Sequence, residues 1–184
     1  MRAIQRILLS GTVIGILVIV FVTATLAGNF HFNSLNFDVG HSLVFEGVLA
    51  GLGNEEAEVS LTAVGSVTAL CENRGGNQAP GQKPITVEVA QTIVVTTDSN
   101  GQAQVFILAP DPTSPDNEPS PTPKQAGCPN GNWKVVGIID DSTDWTEARI
   151  VVTDDDGIVQ IDLSFTCTTF FEDGVAVGVE CQKV

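Results

Sequence analysis

Two segments of the chain alternate between apolar and polar residues. Over residues 159–167 every second residue is apolar and those between are polar, and residues 58–63 follow the same period. A period of two puts the apolar side chains on one face of a strand and the polar ones on the other. Antiparallel sheets with one face on a core and one in water have this pattern. The sequence therefore predicts two half-buried strands.

Further stretches are rich in β-branched and aromatic residues, and polar turns that end in glycine separate several of them. No segment after residue 27 carries a helical period. Many short strands joined by tight turns are typical of an all-β fold: a single antiparallel β-sandwich, immunoglobulin-like in architecture, with a small barrel as the alternative. These additional predicted strands are 43–50, 67–71, 85–97, 103–109, 133–140, 146–153 and 175–181.

The first 27 residues have the pattern of a targeting segment. Arg2 and Arg6 precede an uncharged, largely aliphatic run that ends at Ala27, which favours a secretory signal peptide cleaved after that residue. The run is also long enough to form one hydrophobic helix that stays as a membrane anchor, since roughly 20 apolar residues span a bilayer. In either case we predict an exported domain over 28–184, at the cell surface or outside the cell, with membrane contact only through an uncleaved segment.

Acidity is the clearest bias of the composition. The formal net charge is −14, and removing the N-terminal segment, which holds two arginines and no acids, takes it to −16. Nucleic-acid binding needs Lys and Arg to displace counterions, and anionic membranes attract basic surfaces, so the charge argues against both partners. Solubility outside the cell explains such a charge, and a cation-binding surface is the alternative.

All nine prolines lie between Pro80 and Pro129, and six of them fall within residues 110–123. This composition predicts a solvated, polyproline-prone loop over 110–126. A linker between two domains is the alternative, but the segment that follows is short for a second domain. We therefore expect one domain with a tethered long loop.

Four cysteines in an exported domain predict two disulfides, with three connectivities open. Cys167 and Cys181 share the apolar phase of neighbouring predicted strands. A three-residue loop centred on Gly174 would place them opposite each other, where paired Cβ atoms come within bonding range. That pairing leaves Cys71 with Cys128.

Residues 71–82 read Cys-Glu-Asn-Arg-Gly-Gly-Asn-Gln-Ala-Pro-Gly-Gln, and residues 128–133 read Cys-Pro-Asn-Gly-Asn-Trp. These motifs resemble a group of exported bacterial β-sandwich proteins of unassigned function, with a Cys-x-Asn-x-Gly-Gly-Asn-x-Ala-Pro-Gly loop and a later Cys-Pro-Asn…Trp. The resemblance covers roughly residues 30–153. It implies export and a Cys71–Cys128 disulfide, and it implies no chemistry, because the group has no known activity.

The glycine-rich loop after Cys71 is a candidate ligand-binding loop. Asn77, Gln78 and Gln82 carry amide donors and acceptors of the kind that suit hydroxyl-rich ligands such as glycans. The alternative is that the amides satisfy backbone groups within the loop itself. A phosphate-binding role is disfavoured, since no Lys-Ser or Lys-Thr follows and no helix begins here.

Two acidic loops are candidates for a structural calcium site. Calcium takes six to eight oxygen ligands, so convergence of both loops at one end of a sandwich could form a site. Neither loop has EF-hand spacing, and turn formation is the alternative explanation. The candidate ligands are Asp140, Asp141, Asp144, Asp154 and Asp156.

No pattern predicts catalytic residues or another cofactor. His31 and His41 lack the spacing of a metal site, and no Gly-x-Ser-x-Gly sequence accompanies them. We therefore expect a non-catalytic domain of the cell envelope or matrix that acts through binding or structure, with an envelope or extracellular component as its partner. The alternatives are a calcium-dependent or glycan-binding adhesion module and a secreted hydrolase that uses two carboxylates.

Overall fold

A computed structural model describes residues 29–39, 42–53, 56–110, 121–139 and 143–184, and the predicted N-terminal helix lies outside these ranges. No helix within the described ranges is long and apolar enough to cross a membrane. The strands in these ranges are β1 (His31–Val39), β2 (Leu43–Ala50), β3 (Glu56–Glu72), β4 (Gln78–Thr96), β5 (Gln102–Leu108), β6 (Lys134–Ile138), β7 (Asp144–Asp154), β8 (Val159–Glu172) and β9 (Val175–Lys183).

The strands form two antiparallel sheets that pack together. One sheet has the order β1-β2-β5, and the other has the order β4-β3-β7-β8-β9, with β6 also paired to β3. Strands β6 and β7 follow each other along one edge of β3, because β6 pairs with residues 69–72 and β7 with residues 57–66. The prediction of an all-β, antiparallel two-sheet fold is confirmed.

The core between the sheets is formed by every second side chain along the strands. Phe37 of the first sheet lies between Phe45, at a ring-centroid distance of 5.3 Å, and Phe165 of the second sheet, at 5.0 Å. Phe45 is fully buried, and burying a side chain of this size stabilises the fold by about 1.5–3 kcal/mol. Strand β8 keeps the predicted phase with Phe165 and Cys167 buried, but Val159 at its start is exposed.

The predicted strands 58–63 and 67–71 are one continuous strand, β3. Gly65 separates the two predictions, yet it marks a close approach rather than a strand end. A Cβ at Gly65 would lie 2.7 Å from the carbonyl oxygen of Asp144 and 3.1 Å from the ring of Trp145. The absence of a side chain therefore lets β7 pass, and the β3–β7 register shifts at this point.

The β8–β9 hairpin has a two-residue turn and not the predicted three-residue loop. Asp173 and Gly174 both have positive φ, 52° and 84°, as a type I′ turn requires. This turn alone would place Cys167 opposite Glu180. Val177 is an extra, bulged residue of β9 that moves the register by one, so Cys167 pairs with Cys181. The predicted disulfide is confirmed, although the predicted loop is wrong.

Candidate functional site

The hairpin of β3 and β4 continues past the core between the two sheets. The last β3 residue in that core is Ala63. Val67, Ala69 and Cys71 are also buried, but they do not belong to the core between the sheets. We call residues 67–84 together with residues 121–138 the arm.

A disulfide between Cys71 and Cys128 fixes the second half of the arm to β3, as predicted, with the two Cα atoms 5.8 Å apart. Ala126 is fully buried beside it. The C-terminal end of the predicted Pro-rich loop is therefore anchored rather than free, since its turns pack on the β3–β4 hairpin. The earlier part of that loop, residues 111–120, lies outside the described residues.

Backbone hydrogen bonds continue this attachment where the β3–β4 pairing is interrupted. The ladder has a bulge over residues 81–83 of β4, so these residues do not pair with β3. The amide of Gln82 donates to the carbonyl of Gly127 at 3.1 Å, and the amide of Lys83 donates to that of Ala126 at 3.2 Å. The docked turn thus satisfies backbone donors that β3 leaves unpaired.

We expect Gly81→Ala to destabilise the arm by about 1–3 kcal/mol, because overpacking a close contact forces backbone shifts. A Cβ at Gly81 would clash with the carbonyl oxygen of Ala126. Gly137→Ala is the matched control, since a Cβ there meets nothing within 4 Å. Thermal unfolding and proteolysis of residues 121–133 measure the effect. Equal behaviour of the two variants would contradict the docked position of the turn.

The arm's tip is organised by Asn73. Its Oδ1 accepts the amides of Gly75 at 2.9 Å and Asn77 at 3.0 Å, which closes the turn. Gln78 Nε2 donates to Glu72 Oε2 at 3.2 Å. Much of the amide-rich sequence therefore holds its own loop together, as the structural alternative predicts.

All three predicted ligand-binding amides are exposed on the arm: Asn77, Gln78 and Gln82. Only Asn77 lies in the turn, because Gln78 and Gln82 belong to β4, which begins earlier than the predicted strand 85–97. The disulfide and the docked turn support this early start. Both features depend on residues about 50 positions away along the chain, beyond the range of local patterns.

Most positive charge of the described residues lies on the arm. Arg74, Lys83, Lys124 and Lys134 are on it, while Glu72 is its one acid in the described ranges. Lys134 Nζ lies 3.4 Å from Glu72 Oε1. The hydrogen bond from Gln78, and after it Lys134, lowers the pKa of Glu72. The predicted Cys71–Cys128 pairing could have revealed this cluster, because the basic residues flank the two cysteines in sequence.

The candidate calcium ligands that the structure describes are not brought together. Asp144 and Asp154 begin and end β7, about 30 Å apart at ~3.3 Å per residue. Asp154 accepts the amide of Ile158 at 2.8 Å and Gln160 Nε2 at 2.6 Å, so it shapes its own turn. Asp156 is exposed in that turn, and Asp140 and Asp141 lie outside the described residues.

No group of three metal-ligating side chains occurs in the described part of the chain. His31 is exposed, with Nδ1 2.7 Å from the carbonyl oxygen of Asn29, and His41 lies outside the described ranges. A calcium site stays a prediction.

The end of the sandwich opposite the arm is acidic, and we call it the acidic end. The start of β3, the turn after β4 and the end of β7 meet there, since Glu56 pairs with Thr96 and Ala57 with Asp154. An open cleft at this end is lined by acids of β3 and β7. Hydrogen bonds from the backbone amides of residues 102 and 100 lower the pKa of Asp98. The acids of this end are Glu56, Glu58, Asp98, Asp154, Asp155 and Asp156.

Trp145 and Thr169 form a buried contact that local sequence patterns do not indicate. Thr169 Oγ1 accepts the amide of Trp145 at 2.8 Å and lies 3.2 Å from its carbonyl oxygen. The Trp145 side chain is fully buried, and its Nε1 has no hydrogen-bond partner among the described residues. This contact joins β7 to β8 beside the base of the arm.

An ion pair between β7 and β8 predicts a measurable pH dependence. Arg149 Nε and Nη2 donate to the Asp162 carboxylate at 2.8 and 2.6 Å, which lowers the pKa of Asp162 below its ordinary 3.8. Because the pKa of Asp162 is lower in the folded protein than its ordinary value, the ion pair contributes its full stability at pH values above that ordinary pKa. The contribution is lost as the pH falls through the pKa that Asp162 has in the folded protein.

We therefore expect Asp162→Asn to lower the melting temperature slightly at pH 7. Below the pKa that Asp162 has in the folded protein, the variant and the wild type should melt at the same temperature. Arg149→Met is the control, because removing either partner breaks the same pair. A difference that persists unchanged at low pH would contradict the role assigned to the carboxylate.

The fold and the arm define an all-β, two-sheet domain that carries a disulfide-pinned projection. No known protein family, curated protein or solved structure matches the chain.

Proposed function

We propose that the chain is an exported, non-catalytic domain of the cell envelope or extracellular matrix that acts through binding or structure. The arm carries this proposal, because a rigid projection held by a disulfide and a docked turn presents exposed polar side chains at one end of the domain. Two disulfides are compatible with an oxidising compartment. The apolar segment over residues 1–27 and the acidic composition add support for export.

The position of the N-terminus supports presentation of the arm. Asn29 packs against Gly51, whose missing side chain allows the contact, and Gly51 leads into the start of β3. The chain thus enters the domain at the acidic end. Whether residues 1–27 are cleaved or retained, the arm lies at the far end of β3 from this entry point.

We extend the proposal to an immunoglobulin-type sandwich, on the support of strand order. Strands β1-β2-β5 have the order of strands A, B and E, and β4-β3-β7-β8 have the order of C′, C, F and G. Strands β6 and β9 are then additions. The domain differs from antibody domains in that neither disulfide joins the two sheets.

Site-specific photo-crosslinking in the producing cell tests this function. A photoreactive residue at Gln82 on the arm should capture an envelope or matrix component, and one at Ser164 on the outer face of β8 is the matched control. The intact mass of the protein that is not cross-linked should correspond to all four cysteines oxidised. Reduced cysteines with cytoplasmic retention, or equal capture from both positions, would contradict the proposal.

A glycan-binding adhesion module is the second candidate, because Asn77, Gln78 and Gln82 are exposed together on the arm. A glycan array with the wild type and Asn77→Ala/Gln82→Ala tests it, with and without a chelator. Binding that the double variant loses would favour this candidate. Loss on chelation would also implicate calcium, and binding that the variant retains would exclude the arm amides.

A further inference from the structure

Charged side chains of opposite sign lie at opposite ends of β3. The arm holds four of the six described Lys and Arg residues, the others being Arg149 and Lys183. The acidic end begins at Glu56, and β3 extends from there to Glu72, about 50 Å at ~3.3 Å per residue. The arm itself is therefore basic and the far end of β3 is acidic, while the exposed Asp144 pairs with Ser66 at the base of the arm.

Both charged ends are accessible. Arg74, Lys83, Lys124 and Lys134 are all exposed, and Lys134 keeps 67% of its side chain exposed beside Glu72. Glu56 and Glu58 are exposed at the start of β3 and line the open cleft of the acidic end. Each end thus presents charge to a partner and not only to its own fold.

We propose that a second copy of this chain is the arm's partner, with the arm of one copy docked on the acidic end of the next. This inference rests on the proposed structural function and deepens it, because it specifies how a matrix domain would assemble. Charge complementarity supports a second copy, since the chain itself carries both surfaces. The two surfaces lie at opposite ends of β3, so an end-to-end contact between them is heterologous and extends head to tail into linear assemblies or closes as a ring.

Ionic strength gives this assembly a distinctive signature. Two copies with a net charge of −14 repel each other over long distances. The Debye length is about 30 Å at 0.01 M salt, about 8 Å at 0.15 M and about 3 Å at 1 M. Repulsion therefore dominates at the lowest salt, and the local ion pairs are screened at the highest. Association should be strongest near 0.15 M, whereas binding of a simple polyanion would weaken steadily as salt rises.

Sedimentation velocity of the protein isolated from the producing cell tests the proposal over these three salt concentrations. The arm variant is Lys83→Glu/Lys124→Glu, and the acidic-end variant is Glu56→Lys/Glu58→Lys. Each alone should associate at least about tenfold more weakly than the wild type, because charge reversal juxtaposes like charges. An equimolar mixture of the two should recover association, since each reversed surface then meets a complementary one.

Glu147→Lys/Glu180→Lys is the matched control, because it changes net charge as much as the acidic-end variant but lies on β7 and β9. It should associate at least as well as the wild type. Circular dichroism melts of each variant establish that all of them are folded.

A monomeric wild type at all three salt concentrations, or a mixture that fails to associate, would overturn the proposal. Dextran sulfate is the probe for the alternative partner. If the wild type is monomeric and binds dextran sulfate, and the arm variant does not bind it, the arm is a binding site for an anionic polymer. That outcome refutes self-assembly and leaves the proposed envelope function standing, which the photo-crosslinking experiment tests separately.

Discussion

Replacing Trp145 by alanine is expected to lower the free energy of unfolding by about 3–5 kcal/mol, the range for truncating a large buried aromatic side chain. Trp145 is fully buried against Gly65, where β7 passes close to the backbone of β3, and loss of the ring leaves a cavity that neighbouring β-strands cannot easily close. Urea denaturation at neutral pH measures the change through the transition midpoint, provided that the slope is unchanged.

Two substitutions serve as controls for this result. Trp145→Phe should cost less than alanine, because phenylalanine keeps much of the ring volume and removes an indole N–H that has no partner among the described residues. Trp133→Ala should also cost less, since Trp133 is only half-buried on the arm. An equal or larger loss from Trp133→Ala would show that Trp145 does not hold the position we assign to it.

Removing the arm disulfide with Cys71→Ala/Cys128→Ala is expected to lower the free energy of unfolding by about 4 kcal/mol on the chain-entropy estimate. The two cysteines are 57 residues apart, so the bond restricts a long loop of the unfolded chain. The docked turn over residues 121–128 should also become sensitive to proteases, because two backbone hydrogen bonds would then tie it to β4 within the described part of the chain. Chemical denaturation and limited proteolysis measure the two effects.

The second disulfide gives the comparison. The Cys167–Cys181 disulfide closes a separation of only 14 residues, so the same estimate gives a loss of about 3 kcal/mol for Cys167→Ala/Cys181→Ala. The β8–β9 ladder still holds this hairpin, so protease sensitivity should change little. Protection of residues 121–133 that survives loss of Cys71 and Cys128 would contradict the pinned arm.

Local sequence patterns predicted most of the strands and also predicted which side chains of a strand are buried. Strand β2 has the bounds of the predicted strand 43–50, and β3 buries every second residue as its alternation predicts. Strand β1 had no predicted counterpart, because a register shift after Phe32 breaks its alternation. A period of two is a property of the extended backbone itself, so it is readable wherever one face of a strand is buried.

Features that depend on distant residues were less predictable. Gly65 looks like a strand boundary in the sequence, and only the approach of Trp145, 80 positions later, shows why β3 continues through it. The early start of β4 likewise depends on the turn that docks on residues 81–83. A pattern within one strand holds no information on what packs against that strand.

The sequence by itself determined the all-β class, the alternation that forms the core and, through cysteine placement, both disulfides. Only the tertiary structure decided that the amide-rich segment is part of a docked arm, that Asp144 and Asp154 lie far apart, and that four of the six described basic residues collect on the arm. The physical reason is that backbone conformation is set by neighbours along the chain, whereas a binding surface is made of residues brought together across it by burial and cross-linking.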